Sequence, residues 1–173
     1  MEFQIRRAET ADAGTIARVH VDSWRSTYAG IVPAEFLASL SVDKREEFWR
    51  KTLGTEDALM FVAEDETGVF GFACGGKLRE ALESYDAELY AIYLLREGQG
   101  KGAGRSLFQA LTQALQAAGY SGMALWVLKE NPAVKFYERM GGKQIARKPI
   151  EIGGVQLEEV AFGWPRLEDE DVS

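Results

Sequence analysis

The stretch that decides the fold is 96-REGQGKGAG-104, in which four glycines alternate with other residues between two strongly patterned segments. The preceding run, LYAIYLL (89–95), is apolar almost throughout and predicts a central strand buried on both faces. The following segment, RSLFQALTQALQAAG (105–119), repeats leucine at the spacing of one helical turn. Glycines let backbone N–H groups approach a ligand closely, and a helix start carries partial positive charge. A glycine loop in this position therefore predicts a site for an anionic ligand.

The sequence on both sides of the loop predicts one mixed sheet with helices on its faces. Upstream, FQIRRA (3–8) alternates as a first strand, and two or three amphipathic helices follow it. The segment 58–78 then contains two strand-like runs joined by a turn that ends in glycine, which predicts an antiparallel hairpin. Downstream, MALWVL (123–128) predicts a short buried strand and NPAVKFYERMG (131–141) a short helix. Two alternating runs around the glycine pair 153–154 predict a final hairpin.

The composition indicates one compact domain. With 173 residues, 46% of them hydrophobic, the chain is long enough to bury one sizeable core. We expect a single domain over residues 1–166 and a short, solvated acidic tail, LEDEDVS, over residues 167–173. The first residues lack the apolar segment of a secretory signal, and the run LYAIYLL is too short to span a bilayer. We therefore expect a cytoplasmic protein that does not enter the membrane.

Charge and the rarest residue types exclude several kinds of site. The formal net charge is −7 at pH 7 and the basic residues are scattered, which disfavours a nucleic-acid partner. The chain has one cysteine, Cys74, so it has no intrachain disulfide and no cysteine metal cluster. Its one histidine, His20, lies in a predicted amphipathic helix and is interpreted as structural. We predict no metal site, and we expect the acidic surface to favour a cationic small molecule.

Two known kinds of phosphate-binding loop can be compared with the glycine stretch. A Walker loop is excluded because Lys101 is not followed by serine or threonine. A dinucleotide loop, G-x-G-x-x-A, fits Gly98, Gly100 and Ala103. Glu130 ends the next predicted strand, where an acid that binds ribose would stand. Only 43 residues follow Glu130, however, which is too few for the rest of a doubly wound sheet.

A second phasing of the same residues is Q-x-x-G-x-G, at Gln99, Gly102 and Gly104. This phasing resembles the pyrophosphate loop of the GNAT superfamily of acetyl-CoA-dependent N-acetyltransferases. The loop lies in the second half of the chain, after a predicted antiparallel set of strands, and this position favours the second phasing.

The resemblance extends over nearly the whole chain. Tyr93 and Leu94 fall in register with the strand that precedes the family's loop, although Arg96 replaces the usual proline. Downstream, NPAVKFYERMGG (131–142) matches the family's pattern N-x-x-A-x-x-F-Y-x-x-x-G at Asn131, Phe136, Tyr137 and Gly141, with Val134 offset by one from the small residue. Two further segments look like one bacterial branch of the family: HVDSWRSTYAGIVP (20–33) and IGGVQLEEVAFGW (152–164).

The resemblance implies the fold and the cosubstrate. The expected fold is α/β (α+β): a mixed, mostly antiparallel, splayed central sheet of about seven strands with helices on both faces. The expected cosubstrate is acetyl-CoA, whose pantetheine arm would pair with the backbone of Ile92 and Leu94. Asn131 and Tyr137 complete the expected cofactor site, and Asn131 also fits as a helix cap. The pyrophosphate would lie on the loop and helix start, at Gln99, Gly100, Gly102, Gly104 and Arg105, with added charge from Lys101.

The resemblance also implies direct attack of an amine on a thioester. Tyr137 matches the tyrosine that can protonate the departing thiolate, and a core aromatic is the alternative interpretation. Glu88 stands at the spacing of a catalytic glutamate and is the candidate base, although it equally fits a solvent-facing position at the start of a strand. Tyr90 or Tyr93 would instead hold a chain of water molecules. The N–H group of Leu94 is the expected oxyanion donor.

The acceptor is expected to be a primary amine of a small molecule or peptide. Trp24, Tyr28 and Tyr93 are the candidate aromatic wall of the acceptor pocket. A polyamine, an amino acid, an aminoglycoside and a protein amine all stay open, as does a non-catalytic acyl-CoA sensor on the same fold. Homodimers are common in the family and stay open here. Four acidic residues would form a mouth of the cavity suited to a cation, or alternatively belong to a solvated acidic loop: Glu80, Glu83, Asp86 and Glu88.

Overall fold

The computed structural model describes residues 2–55 and 58–167. The strands are β1 (Gln4–Arg7), β2 (Leu59–Asp65), β3 (Gly68–Lys77), β4 (Ala87–Leu94), β5 (Met123–Leu128), β6 (Lys143–Ile152) and β7 (Val155–Trp164). The α-helices are α1 (Ala13–Thr27), α2 (Ala34–Ser39), α3 (Val42–Leu53), α4 (Ala103–Ala117) and α5 (Ala133–Arg139). Short 3-10 turns precede α1 and α4, at Thr10–Asp12 and Arg96–Gly98.

All seven strands belong to one sheet, in the order β1-β2-β3-β4-β5-β7-β6. Every neighbouring pair is antiparallel except β4 and β5, which run parallel. This confirms the predicted mixed, mostly antiparallel sheet of seven strands.

Turn chemistry fixes the two hairpins. Asp65 pairs with Gly68, so β2 and β3 are joined by two residues, and Gly68 has φ 118°. Gly153 and Gly154 join β6 to β7 with φ 60° and 83°. Two successive residues with positive φ match the right-handed twist of the strands, and glycine adopts that conformation most readily.

Helices cover both faces of the sheet, as expected. On one face α4 buries its leucine stripe, which includes Leu107, Leu111 and Leu115. On the other face α1 buries Ile16 and Val19, and α3 lies against α1. Among the helices of residues 2–55 and 58–167, none has the length and apolar character that crossing a bilayer requires.

The sheet is splayed at its centre, which also confirms the expectation. β4 and β5 pair at two positions, Ala87 with Met123 and Glu88 with Ala124. Both strands continue beyond these pairs, to Leu94 and to Leu128, without further pairing to each other. The second half of β4 is therefore only half-buried, where the sequence predicts burial on both faces, because a cavity opens beside it.

The last described residue packs on the core. Leu167, assigned from the sequence to a solvated tail, is 4% exposed and belongs to the core beneath α4. Its backbone N–H donates a 2.9 Å hydrogen bond to the carbonyl of Ser121. The rest of the predicted tail, residues 168–173, lies outside the described residues.

Candidate active site

A cavity of about 800 Å³ lies where β4 and β5 part. The glycine loop and the start of α4 line one end, and the start of α5 lines the middle. The end of α1 and the strands β6 and β7 line the other end. Most of the predicted site residues line this cavity: Trp24, Tyr28, Ile92, Tyr93, Leu94, Gln99, Gly100, Gly102, Gly104, Arg105, Asn131 and Tyr137.

The glycine loop takes a backbone conformation that requires glycine. Gly100 and Gly102 have φ 80° and 85°, and a Cβ atom at either position would meet nothing within 4 Å. These two glycines are therefore needed for their left-handed conformation and not for close contact. The Ser106 N–H bonds back to the carbonyl of Gly102, which is the first helical bond of α4. The N–H groups of the preceding turn are not used by the helix and favour an anion at this end of the cavity.

Among the described residues, three cationic side chains line the cavity, of which Arg105 was expected and Arg96 and Arg139 were not. Lys101 does not line it: its Nζ lies 3.7 Å from Asp65 and 5.0 Å from the ring centroid of Phe70. Lys101 thus fastens the loop to the β2–β3 hairpin. Arg139 was not predicted from the sequence; the available signal was its place on the short helix α5, two residues after Tyr137.

The backbone of β4 presents hydrogen-bonding groups to the gap. The Leu95 N–H donates to the carbonyl of Phe70 on β3 over 2.8 Å. Because backbone groups alternate between the two edges of a strand, the N–H groups of Leu94 and Ile92 point to the other edge, from which β5 has diverged. The Leu94 carbonyl accepts 3.3 Å bonds from Gln99 Nε2 and Ser23 Oγ.

Tyr137 lies on α5 at the middle of the cavity and is 5% exposed. Burial raises the pKa of its hydroxyl, and the nearby Tyr93 and Tyr28 raise that pKa further. The hydroxyl is therefore protonated at neutral pH, which is the state a proton donor needs.

The predicted aromatic residues form one wall of the cavity. The indole Nε1 of Trp24 donates to the hydroxyl of Tyr93 over 3.0 Å, and the rings of Trp24 and Tyr28 meet edge to face at 4.6 Å. Asn131 Nδ2 donates to the hydroxyl of Tyr28 over 2.8 Å, and Asn131 Oδ1 accepts from the Ala133 N–H over 2.8 Å. Asn131 thus caps α5 and also holds Tyr28.

His20 supports this wall from behind. Its ring stacks on Tyr93 with centroids 5.2 Å apart, and its Nδ1 accepts a 3.1 Å bond from Trp49 Nε1. Burial, with a smaller effect of the Arg45 charge, lowers the pKa of His20 to about 4. The ring is neutral at pH 7, as a structural histidine would be. Across residues 2–55 and 58–167, no three side chains of the His, Cys, Asp and Glu types are grouped to hold a metal ion.

Glu88 lies outside the cavity lining and is 2% exposed. Its carboxylate accepts from Arg79 Nη2 over 2.6 Å, from Arg79 Nε over 3.2 Å and from the Arg79 backbone N–H over 3.1 Å. Glu88 is therefore buried, which differs from the solvent-facing alternative, and its oxygens are engaged by one arginine.

The predicted acidic mouth does not form around this cavity, because none of its four residues lines it. Asp86 instead accepts from the backbone N–H groups of Ser121 and Gly122, and so joins β4 to the segment before β5. Glu80 is bonded to Lys148 on β6.

Glu159 on β7 is the acidic residue that the sequence analysis missed. It is the only acidic side chain lining the cavity in the described part of the chain. Its side chain is 14% exposed and lies 3.5 Å from Lys148 Nζ. Burial raises the pKa of Glu159, although Lys148 opposes this. The available signal was a charged residue on the same face of the strand as the apolar residues Leu157 and Ala161.

Comparisons with known proteins agree with this geometry. The model of the Acetyltransferase (GNAT) family matches residues 20–142. The uncharacterized N-acetyltransferase YuaI of Bacillus subtilis (strain 168) is 46% identical over 166 residues, which cover 94% of this chain and 93% of that protein. The spermidine N(1)-acetyltransferase of Thermoplasma acidophilum is 26% identical over 149 residues, or 83% of this chain and 89% of that protein. In fold, the crystal structure of the PaiA N-acetyltransferase from Thermoplasma acidophilum in complex with coenzyme A is similar, with a TM-score of 0.73, 24% identity and coverage of 94% of this chain and 98% of that one.

Proposed function

The chain belongs to the Acetyltransferase (GNAT) family of acyltransferases, and on that premise we propose that it moves an acetyl group from acetyl-CoA to a primary amine of a small molecule or peptide. The observation that carries the proposal is the opening between β4 and β5, with a glycine loop at one end and Tyr137 in the middle. Acetyl-CoA is the cosubstrate of the family, and the similar PaiA structure holds coenzyme A.

The residues at the end of the cavity lined by the glycine loop fit a pyrophosphate. The left-handed glycines Gly100 and Gly102 and the first turn of α4 offer backbone N–H groups. We propose that this turn binds the negatively charged phosphates together with Arg96, Arg105 and Arg139.

The open edge of β4 fits an extended chain with amide groups. The N–H groups of Ile92 and Leu94 would pair with the pantetheine arm, which would take the place of a neighbouring strand. The Leu94 N–H is also the proposed donor to the thioester oxygen. Side chains from Gln99 and Ser23 fix the Leu94 carbonyl and so limit the motion of this segment.

Bound acetyl-CoA supplies a thioester, whose C–S bond is exchanged for a C–N bond to the acceptor amine. Tyr137 is the proposed donor of a proton to the departing sulfur, because it lines the cavity and its hydroxyl is protonated at neutral pH. The acceptor nitrogen loses one proton, so the reaction is balanced in protons when Tyr137 is reprotonated. Glu88 as the base that takes the proton stays a prediction, and its bonds to Arg79 make it testable.

The end of the cavity that is lined by α1, β6 and β7, here called the acceptor end, fits a cationic amine. Trp24, Tyr28 and Tyr93 offer aromatic rings, and Glu159 offers the carboxylate. The name of one similar protein, spermidine N(1)-acetyltransferase, supports a cationic amine as the acceptor.

The test is acetyl transfer by the purified protein. Acetyl-CoA is supplied with a polyamine, an amino acid, an aminoglycoside and a peptide in turn. Thiol release and the mass of the product are then measured. We expect acetyl-CoA-dependent product with at least one amine. Binding of acetyl-CoA without transfer to any amine would instead favour the non-catalytic sensor.

Binding is measured separately by thermal unfolding with acetyl-CoA, CoA or NADH. A ligand at about 100 times its Kd adds roughly 2.7 kcal/mol to the free energy of unfolding. For a domain of this size we expect Tm to rise by a few degrees with acetyl-CoA and CoA and not with NADH. A rise with NADH alone would show that the dinucleotide phasing of the loop is the right one.

A further inference from the structure

A primary ammonium group is already held beside the acceptor end of the cavity. Lys148 Nζ lies 4.2 Å from the ring centroid of Trp126 and 3.5 Å from Glu159, and it is bonded to Glu80. The sheet register brings these groups together, because Lys148 on β6 is directly opposite Glu159 on β7, which in turn is opposite Leu128 on β5. An aromatic face and two carboxylates therefore surround one alkylammonium.

This ammonium site is continuous with the cavity. Trp126 and Glu159 both line the cavity, and so do Ile150 and Ile152, which follow Lys148 on the same face of β6. The indole Nε1 of Trp126 is buried and has no hydrogen-bond partner, so this wall offers a donor that the protein does not use. A ligand at the acceptor end would meet these groups.

The two carboxylates differ in exposure. The side chain of Glu159 is 14% exposed and that of Glu80 is 60% exposed. An outward movement of Lys148 would therefore keep its pair with the exposed Glu80 and leave Glu159 facing the cavity. The nearby charged groups are Lys148, Glu80, Arg79 and Glu88, and with Glu159 they sum to one negative charge, which favours a cation over an anion.

We propose that Glu159 and the face of Trp126 bind a cationic group of the acceptor, and that Lys148 occupies this position when no acceptor is bound. The proposal rests on the proposed function and narrows its substrate class. An amine paired with a carboxylate is held in its protonated form and is a poor nucleophile. The nitrogen bound by Glu159 is therefore not the one that is acetylated, and the acceptor carries a second cationic group, as a diamine does.

The experiment compares 1,4-diaminobutane with butylamine, which has the same carbon chain and one amine. In Glu159→Gln we expect KM for the diamine to rise about tenfold, as for loss of one charge-assisted hydrogen bond, with a much smaller change in kcat. KM for butylamine should change little, because butylamine has no second cation. In Lys148→Met, which keeps the length of the stem, KM for the diamine should fall because the internal competitor is gone.

The matched control is Glu158→Gln. Glu158 is the preceding residue on β7, points to the other face of the sheet, and lies 3.7 Å from Lys129. Its replacement should leave KM for both amines unchanged. Equal effects of the two glutamine variants would show a general change in charge or stability and would overturn the proposal.

A second readout is calorimetric binding of 1,4-diaminobutane to the CoA-loaded protein, which needs no turnover. Binding that depends on Glu159 in a protein that acetylates no amine would refute the proposed function and leave this site intact. Turnover of the diamine with unchanged KM and affinity in Glu159→Gln would refute this site alone. A rise in KM in Lys148→Met, or no binding of the diamine to the wild-type protein, would also overturn it.

Discussion

The side-chain amide of Asn131 donates a 2.8 Å hydrogen bond to the hydroxyl of Tyr28, and both residues are buried. Tyr28 directly follows α1 and Asn131 lies two residues before α5, so the bond joins the ends of two helices that border the cavity from different sides. We expect Tyr28→Phe to lower the free energy of unfolding by about 1–3 kcal/mol, because a buried N–H loses its partner. Urea unfolding measures this loss.

The control for this pair is a double-mutant cycle. In the Asn131→Ala background the amide is already absent, so Tyr28→Phe should cost much less there. An equal cost in both backgrounds would show that the hydroxyl of Tyr28 is stabilised by something other than Asn131.

Removal of the Tyr137 hydroxyl should separate chemistry from binding. We expect Tyr137→Phe to lower kcat by about 10²–10⁴-fold, the usual contribution of a general acid. Its affinity for CoA, measured by calorimetry, should be unchanged. Tyr120→Phe is the control, since Tyr120 does not line the cavity. Unchanged turnover in Tyr137→Phe would remove this residue from the mechanism.

Two glycines with the same left-handed backbone conformation allow a test of the phosphate site. Gly102 and Gly119 have φ 85° and 99°, and both have open space around a Cβ atom. Alanine at either should lower the free energy of unfolding by roughly 1–2 kcal/mol, the cost of a left-handed residue. Only Gly102→Ala should also weaken CoA binding, because Gly119 lies at the far end of α4. Equal CoA affinity in the two variants would argue against the glycine loop as the cradle.

The role of Glu88 can be decided by comparison with Arg79. Because the Glu88 carboxylate is engaged by Arg79, we expect Glu88→Gln to lower the free energy of unfolding by roughly 1–3 kcal/mol. An unchanged kcat in this variant would remove Glu88 from the mechanism. Arg79→Met breaks the same pair but keeps the carboxylate. A fall in kcat of about a hundredfold in Glu88→Gln, without a comparable fall in Arg79→Met, would establish Glu88 as the base.

His20 predicts a dependence of stability on pH. Its pKa in the folded protein is about 4, below the ordinary value of 6.5, so the unfolded chain binds a proton that the folded chain does not. The stabilisation from neutral His20 is complete above pH 6.5 and is lost as pH falls toward 4, by on the order of 3 kcal/mol. Urea unfolding at pH 7.5 and 4.5 measures this.

Since His20 is the only histidine, an NMR titration reports its pKa without ambiguity. The loss of stability between these two pH values should be smaller in His20→Gln. A midpoint near 6.5 would contradict the burial of a neutral ring.

Features set by local sequence were predictable. The strand β5 (Met123–Leu128) has the bounds expected from its apolar run, and α4 follows its leucine repeat. The β6–β7 hairpin turns at the expected glycine pair, because two positive φ angles leave few other choices of residue. The splaying of the sheet was predicted only from the resemblance to the GNAT superfamily.

Features set by contacts between distant segments were not predictable. Glu159 faces the cavity because of how β7 pairs with β5 and β6 and because β4 diverges from β5, and neither is visible in a single strand. Glu88 and Asp86 were expected at an acidic mouth, yet Arg79 and the N–H groups before β5 engage them. Leu167 is buried because it packs on a core whose other residues are far from it along the chain.

The short contact between β4 and β5 has a consequence for how the protein tolerates mutation. Two residue pairs hold the strands together, and beyond them the edge of β4 offers main-chain groups. Every residue type except proline carries the same N–H group. The proposed binding of an extended chain along this edge would therefore depend on the shape of the sheet. Replacement of the side chains of Ile92 or Leu94 would alter the width of the slot and leave its hydrogen-bonding pattern in place.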